Sequence, residues 1–240
     1  MKAADVRKEL KSMADPDKAE ILQRFFKTGP GHYGEGDTFI GVMVPKSRQI
    51  AKKFSQLPLA EIRILLYSCI HEERLVALLI LAWRYIRSSS SMEKEEIAKF
   101  YLEHIKQVNN WDLVDLSAPN ILGAHLADRD DRRPLLYRLA GSESVWERRI
   151  AILATLHFIR NGDFSETLKI AGMLLHDRHD LIHKAVGWML REVGKRDAAA
   201  EEAFIEKHCS VMPRTMLRYA IERLPESKKR RYNNKKPTDT

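Results

Sequence analysis

The chain has 240 residues, 44% hydrophobic and 31% charged, which is enough apolar material for a sizeable core under an ordinary polar surface and excludes an intrinsically disordered chain. Lys and Arg number 41 against 33 Asp and Glu, a net charge of +8, yet the segment 228–240, with six Lys/Arg and one Asp, carries five of those eight charges. The remainder is only mildly basic, so net charge admits a nucleic-acid partner without establishing one.

A helical period of about 3.6 residues runs almost throughout. Seven of the nine prolines (Pro16, Pro45, Pro58, Pro119, Pro134, Pro213, Pro225) sit where a new periodic segment opens, the first-turn position that tolerates a missing N–H. The pattern predicts an all-α chain with helices near 2–13, 16–26, 45–54, 58–67, 71–87, 92–107, 111–118, 119–128, 132–139, 144–160, 164–175, 179–195, 199–208, 213–222 and 226–232. The N-terminus, MKAADVRKELKSMAD, alternates charges and has no apolar core of a secretory signal. The segment Thr28–Val44 holds five of the eleven glycines, and Gly29-Pro-Gly-His-Tyr-Gly34 formally matches GxGxxG. A helix rather than a strand precedes it and the next helix begins only at Pro45, so a dinucleotide fingerprint is rejected. The glycines read instead as positive-φ residues of a packed connection, with anion binding as the alternative.

The longest apolar run, Leu75–Trp83, is nine residues bounded by Arg74 and Arg84, against about 20 for a membrane span. Cys69 and Cys209 lie far apart without CxxC spacing and read as two buried reduced thiols, and the cytoplasm is the default compartment. Residues 1–227 are expected to form one domain, and 228–240 a mobile basic tail.

Internal repetition follows from aligning Arg74-Leu-Val-Ala-Leu, Trp111-Asp-Leu-Val-Asp, Arg149-Ile-Ala-Ile-Leu and Lys184-Ala-Val-Gly-Trp, whose first residues are 37, 38 and 35 apart. One helix pair per repeat at this spacing predicts a right-handed α-solenoid of HEAT-like hairpins. Arg74, Trp111, Arg149 and Lys184 are then expected in a row on its concave face.

Three groups of residues could carry chemistry. Lys184, Trp188, Arg191 and Lys195 share one helical stripe, with Ile182, Ala185, Val186, Met189 and Val193 on the core side. Such a stripe either stacks on sugar and base while its cations take phosphates, or packs the Trp beneath Lys and Arg stems. In Asn109-Asn110-Trp111-Asp112-Leu113-Val114-Asp115, Asn110 suits an N-cap and Asp112 the first turn. Asp115 lies one turn beyond Trp111 on the same face. A carboxylate there either stabilises a cation or forms a structural ion pair. Arg149 shares a face with Leu153 and Leu156, which predicts a half-buried, oriented phosphate contact, while Arg148 reads as solvated. His176, His179 and His183 have metal-like spacing without a completing Glu or Cys, and Asp177 and Asp180 read as helix-entry caps, so no metal is assigned. Asp128–Arg133 reads as a solvated loop of mixed charge. The repeat register gathers the basic side chains on one face and leaves acidic residues elsewhere.

Taken together, FFKTGPGHYGEGDTFIGV (25–42), HEERLVAL (71–78), NNWDLVDLSAP (109–119), WERRIAIL (146–153), HKAVGWMLREVGK (183–195) and MPRTMLRYAIERLP (212–225) resemble the AlkD-type DNA alkylation-repair glycosylases, HEAT-like α-solenoids, over about residues 17–231. The resemblance implies hydrolysis of the N-glycosidic bond of cationic alkylated purines, such as 3-methyladenine and 7-methylguanine, in double-stranded DNA. It implies further that Asp115 is the catalytic carboxylate, that Trp111 and Trp188 contact the deoxyribose of the damaged nucleotide, and that Arg149 contacts the DNA backbone. Phe25 stands where some members have a Tyr near the lesion. Lys184, Arg191 and Lys195 join Arg149 and Phe25 as expected DNA contacts. The expected protein is a monomer without cofactor, metal, membrane or obligate protein partner, nucleoid-associated through its DNA binding. The alternative is a non-catalytic HEAT-like scaffold on DNA; a protein–protein adaptor has no use for a Trp-Asp-Trp cluster among cations.

Overall fold

The prolines and the short polar caps divide the chain into helices at the places their chemistry requires. The structure, a computed structural model describing residues 1–127 and 133–234, contains α1 (Ala3–Ser12), α2 (Pro16–Phe25), α3 (Val44–Lys53), α4 (Leu59–Leu66), α5 (His71–Arg87), α6 (Ser91–Glu103), α7 (Trp111–Ser117) and α8 (Ala124–Leu126). There follow α9 (Pro134–Ala140), α10 (Val145–Ala154), α11 (Leu156–Arg160), α12 (Ser165–Met173), α13 (Asp180–Gly194), α14 (Ala198–His208), α15 (Arg214–Ala220) and α16 (Glu226–Asn234). The described residues form no strand, only an isolated bridge between Thr38 and Ile70. Side-chain caps open several helices: Asp15 accepts from Lys18 N at 3.2 Å, Ser90 from Glu93 N at 3.2 Å and Asp197 from Ala200 N at 2.9 Å.

The departures from periodicity have local causes. The segment expected as one helix over 144–160 breaks at Thr155, whose buried hydroxyl donates to the Ile152 carbonyl at 2.7 Å and draws the backbone off the helical ladder. The helix expected over 119–128 opens instead as a π-helical turn, Pro119–Gly123, where Pro119 supplies no N–H and Asn120 Nδ2 donates back to the Leu116 carbonyl at 2.9 Å. Cys69 is exposed and Cys209 buried, which corrects the expectation of two buried thiols. The mixed-charge run from Asp128 lies, through residue 132, outside the described residues.

Contacts group the chain into two compact units, Met1–Ile121 and Leu122–Thr240. In the first, α5 is the central helix. Its residues Leu75–Ala82 are all buried, and α1, α3, α4 and α7 pack around it. The loop between α2 and α3 is held against α5 by a buried carboxylate: the backbone N–H groups of Ile40, Gly41 and Val42 donate to Glu72 at 3.1, 2.8 and 3.2 Å. Gly41, at φ +84°, permits the turn that aims these three donors at one acceptor. The glycine loop therefore does cradle an anion, and that anion is the chain's own Glu72.

In the second unit α13 is the central helix, packed by α10, α12, α14 and α15. Ile182, Ala185, Val186, Met189 and Val193 are fully buried, as their helical spacing predicts. α15 crosses at Gly187, where a Cβ would collide with the Met216 carbonyl oxygen and the Tyr219 Cβ. The basic C-terminal segment begins within a helix. Through residue 234 it forms α16, with Tyr232 buried, Lys228 paired to Glu202 at 2.5 Å and Arg231 to Glu206 at 2.8 Å. The remainder of the tail, 235–240, lies outside the described residues.

Candidate functional site

α7 is fixed at its first turn. Asn110 caps it, its Oδ1 accepting from Trp111 N at 2.8 Å, as its residue type predicts. The same side chain also donates through Nδ2 to Asp37 at 3.1 Å, which no local pattern reveals. Asp112 is likewise more than a first-turn acid. It is buried and faces His71 Nε2 at 2.8 Å, while His71 Nδ1 faces Asp37 at 2.9 Å. Arg74 completes the group with Nη2 donating to Asp37 at 2.6 Å.

Two carboxylates and two basic side chains thus form a closed cluster beneath the start of α7. Arg74, expected on an open concave row, is buried in it, because the acid at position 37 is supplied by the glycine loop rather than by a ligand. Burial works against charge on both Asp37 and His71, and the neighbouring charges outweigh it. The Asp37 carboxyl is held below its ordinary range by His71 and Arg74, and the His71 imidazole above its own by Asp112 and Asp37.

Above this cluster stands an aromatic stack. Phe39 stacks on His71 with ring centres 4.4 Å apart, Phe26 on Phe39 at 4.8 Å, and Trp111 on Phe26 at 4.9 Å with planes 7° apart. Phe25 meets the Trp111 ring edge-on at 5.8 Å and is 63% exposed. The structure therefore brings Phe25 and Trp111 together as one aromatic surface. Asp115 is half-buried one turn along α7, so of the helix's two carboxylates Asp112 is committed to the interior and Asp115 retains solvent contact.

In the second unit Trp188 is half-buried on α13, and its indole N–H donates to Glu192 at 3.1 Å. Lys184 pairs with Asp180 at 2.7 Å, Arg191 with Glu222, and Lys195 with Glu192. Acidic residues are thus interleaved with the basic ones, not placed elsewhere, and each of these three cations already has a carboxylate beside it. Burial works against ionisation of Glu192, but Lys195 and the indole N–H overcome it and hold the acid below its ordinary range.

Arg149 is buried rather than half-buried, because its guanidinium turns inward and donates to the Leu181 carbonyl of α13 at 2.6 Å. Arg148, expected in solvent, spans to Asp177 at 2.5 Å and to the Ser142 and Glu143 carbonyls at 2.9 and 2.8 Å. Two members of the histidine group are engaged in local structure. His179 caps α13 by accepting from Leu181 N at 3.1 Å, and His183 Nε2 lies 2.5 Å from the Asp177 carbonyl oxygen.

The sequence profile of a family described as "DNA alkylation repair enzyme" matches residues 6–224. Among solved structures, one described as a predicted DNA alkylation repair enzyme from Enterococcus faecalis superimposes with a TM-score of 0.70 at 20% sequence identity, covering 89% of this chain and 98% of that one. The helical-repeat fold is thereby shared with that protein. A comparison with curated proteins finds no match.

Proposed function

Because the chain belongs to the family of DNA alkylation repair enzymes, we propose that it is a DNA glycosylase that hydrolyses the N-glycosidic bond of cationic alkylated purines, 3-methyladenine and 7-methylguanine, in duplex DNA. The observation that carries this reading is the division of labour on α7: Asp112 is locked into a buried cluster while Asp115, one turn beyond a stacked Trp111, reaches the surface.

An alkylated purine is already positively charged and departs neutral, so its departure needs no general acid. A single carboxylate then suffices where ordinary glycosidases use two. In this mechanism Asp115 stabilises the oxocarbenium-like sugar and orients or deprotonates the attacking water. Trp111 and Trp188 contact the deoxyribose, and a π-face beside developing positive charge contributes about 0.5–2 kcal/mol. Both rings are held for this task, Trp111 by Phe26 and Trp188 by Glu192. Phe25 extends the aromatic surface without the hydroxyl of a Tyr, so it contributes shape and no hydrogen bond. Lys184, Arg191 and Lys195 contact phosphates by exchanging their carboxylate partners for the DNA backbone. Arg149 is buried on the Leu181 carbonyl, so in this mechanism it reaches a phosphate only by exchanging that carbonyl for the DNA backbone.

The test is release of free methylpurine from methylated duplex. Wild-type protein releases it, and Asp115→Asn binds the same duplex with near-normal affinity while excision falls about tenfold or more. Unchanged excision in that variant would remove the assigned role, and no release by the wild type would leave a DNA-binding scaffold.

A further inference from the structure

The buried cluster under α7 holds a histidine between two carboxylates, a geometry that, with both acids ionised, only the imidazolium satisfies. Both ring nitrogens of His71 point at carboxylate oxygens, Nδ1 at Asp37 (2.9 Å) and Nε2 at Asp112 (2.8 Å). A neutral imidazole has a single N–H, so one of these contacts would set a lone pair against an anionic oxygen; the imidazolium donates to both. The charged groups facing the ring are Asp37 from the glycine loop, Asp112 from α7 and Arg74 from α5 itself. The two acids adjacent in sequence look elsewhere, Glu72 to the loop N–H groups and Glu73 to Arg7 at 2.9 Å. With His71 protonated, two negative and two positive groups balance in a buried space.

The ring has a second role. Its face is the base of the stack that rises through Phe39 and Phe26 to Trp111. His71 therefore touches both supports of the surface that carries Asp115: the first turn of α7 through Asp112, and the Trp111 ring through the aromatic stack.

Resting on the glycosylase reading above, we propose that His71 is a positioning residue for excision: its imidazolium clamps the first turn of α7 and the floor of the Trp111 stack, and loss of its proton releases Trp111 and Asp115 from their productive arrangement. His71 touches no substrate and supplies no proton to the reaction. The consequence is an alkaline limit on turnover set by a buried group rather than by Asp115.

Two variants and two readouts test this. His71→Gln keeps the ring volume in part and offers one donor. Asp112→Asn keeps the shape and lets a neutral His71 donate to Asp37 while accepting from the new amide. The first readout, independent of activity, follows the His71 imidazole and the Trp111 indole N–H by NMR across pH, the latter assigned with Trp111→Phe. The expected result is a His71 midpoint above the ordinary histidine range, with the Trp111 signal moving in step. In Asp112→Asn both shift to lower pH by a unit or more, and in His71→Gln the Trp111 step is absent.

The second readout is excision. Wild-type kcat falls across the same alkaline span, Asp112→Asn moves that fall to lower pH, and His71→Gln lowers kcat about ten- to hundredfold with the DNA Kd little changed. A His71 midpoint at or below the ordinary range, a Trp111 signal indifferent to it, or an unshifted kcat profile in a folded Asp112→Asn would overturn the proposal. If the wild type releases no methylpurine yet Trp111 still follows His71, the glycosylase reading fails and the coupling stands.

Discussion

At the scale of single residues, most buried carboxylates among the described residues are stabilised by partners, and Glu201 is an informative exception at one of its oxygens. Glu201 is buried beside Gly194, and its Oε1 has no hydrogen-bond partner. Burial pushes its carboxyl up to about 7, the charge of Glu202 adds to the rise, and Arg191 opposes it. The native state thus holds this proton more tightly than the unfolded chain. Below the ordinary glutamate range both states are protonated and the group contributes no pH dependence. From there to about pH 7 the unfolded chain is ionised and the native one is not, so stability falls as pH rises, and it levels off above. Glu201→Gln removes the ionisation and keeps the shape. Denaturant unfolding of wild type and variant from pH 4 to 8 is expected to show the variant gaining on the wild type up to about 1–3 kcal/mol at the alkaline end. A constant difference across that range would show that Glu201 ionises normally.

At the scale of elements, what the sequence makes legible and what it hides separate by range. Helix positions follow from local periodicity, proline placement and caps, and α5, α7 and α13 all lie within a residue of their expected limits. The core side of α13 is read from spacing alone for the same reason. Lys184–Asp180 and Lys195–Glu192 are helical neighbours, but other charge partners are invisible to such reasoning because they come from segments distant in the chain. Asp37 reaches Arg74 and Asn110, Arg148 reaches Asp177, and Arg191 reaches Glu222. Arg74 and Arg149 were expected on a concave face from the repeat register, which does not reveal that Asp37 and the Leu181 carbonyl draw their guanidinium groups inward. Trp111 and Asp115 share a face by their spacing, whereas the stack beneath Trp111 depends on Phe26 and Phe39 being carried in by the glycine loop.

Close approach of elements gives a second prediction at this scale. Gly187 sits at the middle of α13 where α15 crosses, and the atoms a Cβ would strike include backbone of Met216, which cannot rotate aside. In an exposed helix Gly→Ala would add up to about 1 kcal/mol. Here Gly187→Ala is expected to destabilise by about 1–3 kcal/mol, since α15 must be displaced. Gly172, in α12, has open space around it, and Gly172→Ala serves as the control that should be neutral or stabilising in the same thermal melt. Equal responses from the two variants would show that the α13–α15 crossing is not close-packed.

At the scale of the whole molecule, the net charge of +8 overstates what is available to a polyanion. On α13 the cations are intramolecularly paired, Lys184 with Asp180, Arg191 with Glu222 and Lys195 with Glu192, and on α16 Lys228 and Arg231 are paired with Glu202 and Glu206. A phosphate approaching any of them competes with a carboxylate already in place. Such pairs are individually weak where solvent reaches them, so the exchange is feasible, but each carboxylate left behind repels the backbone. Two opposite changes follow from this arrangement. Lys184→Ala removes one proposed phosphate contact and is expected to weaken duplex binding and reduce the slope of log K against log salt by about one. Glu222→Gln frees Arg191 and removes a repulsive charge, so it is expected to tighten binding to any duplex, alkylated or not, and to steepen the same slope. Methylpurine release per bound complex should stay unchanged in Glu222→Gln, because the residue pairs with Arg191, the proposed phosphate contact, and not with Asp115 or the tryptophans. Equilibrium titrations of labelled duplex at several salt concentrations separate the two outcomes. Weaker binding by Glu222→Gln would mean that the Arg191 pair orients the guanidinium for DNA instead of masking it.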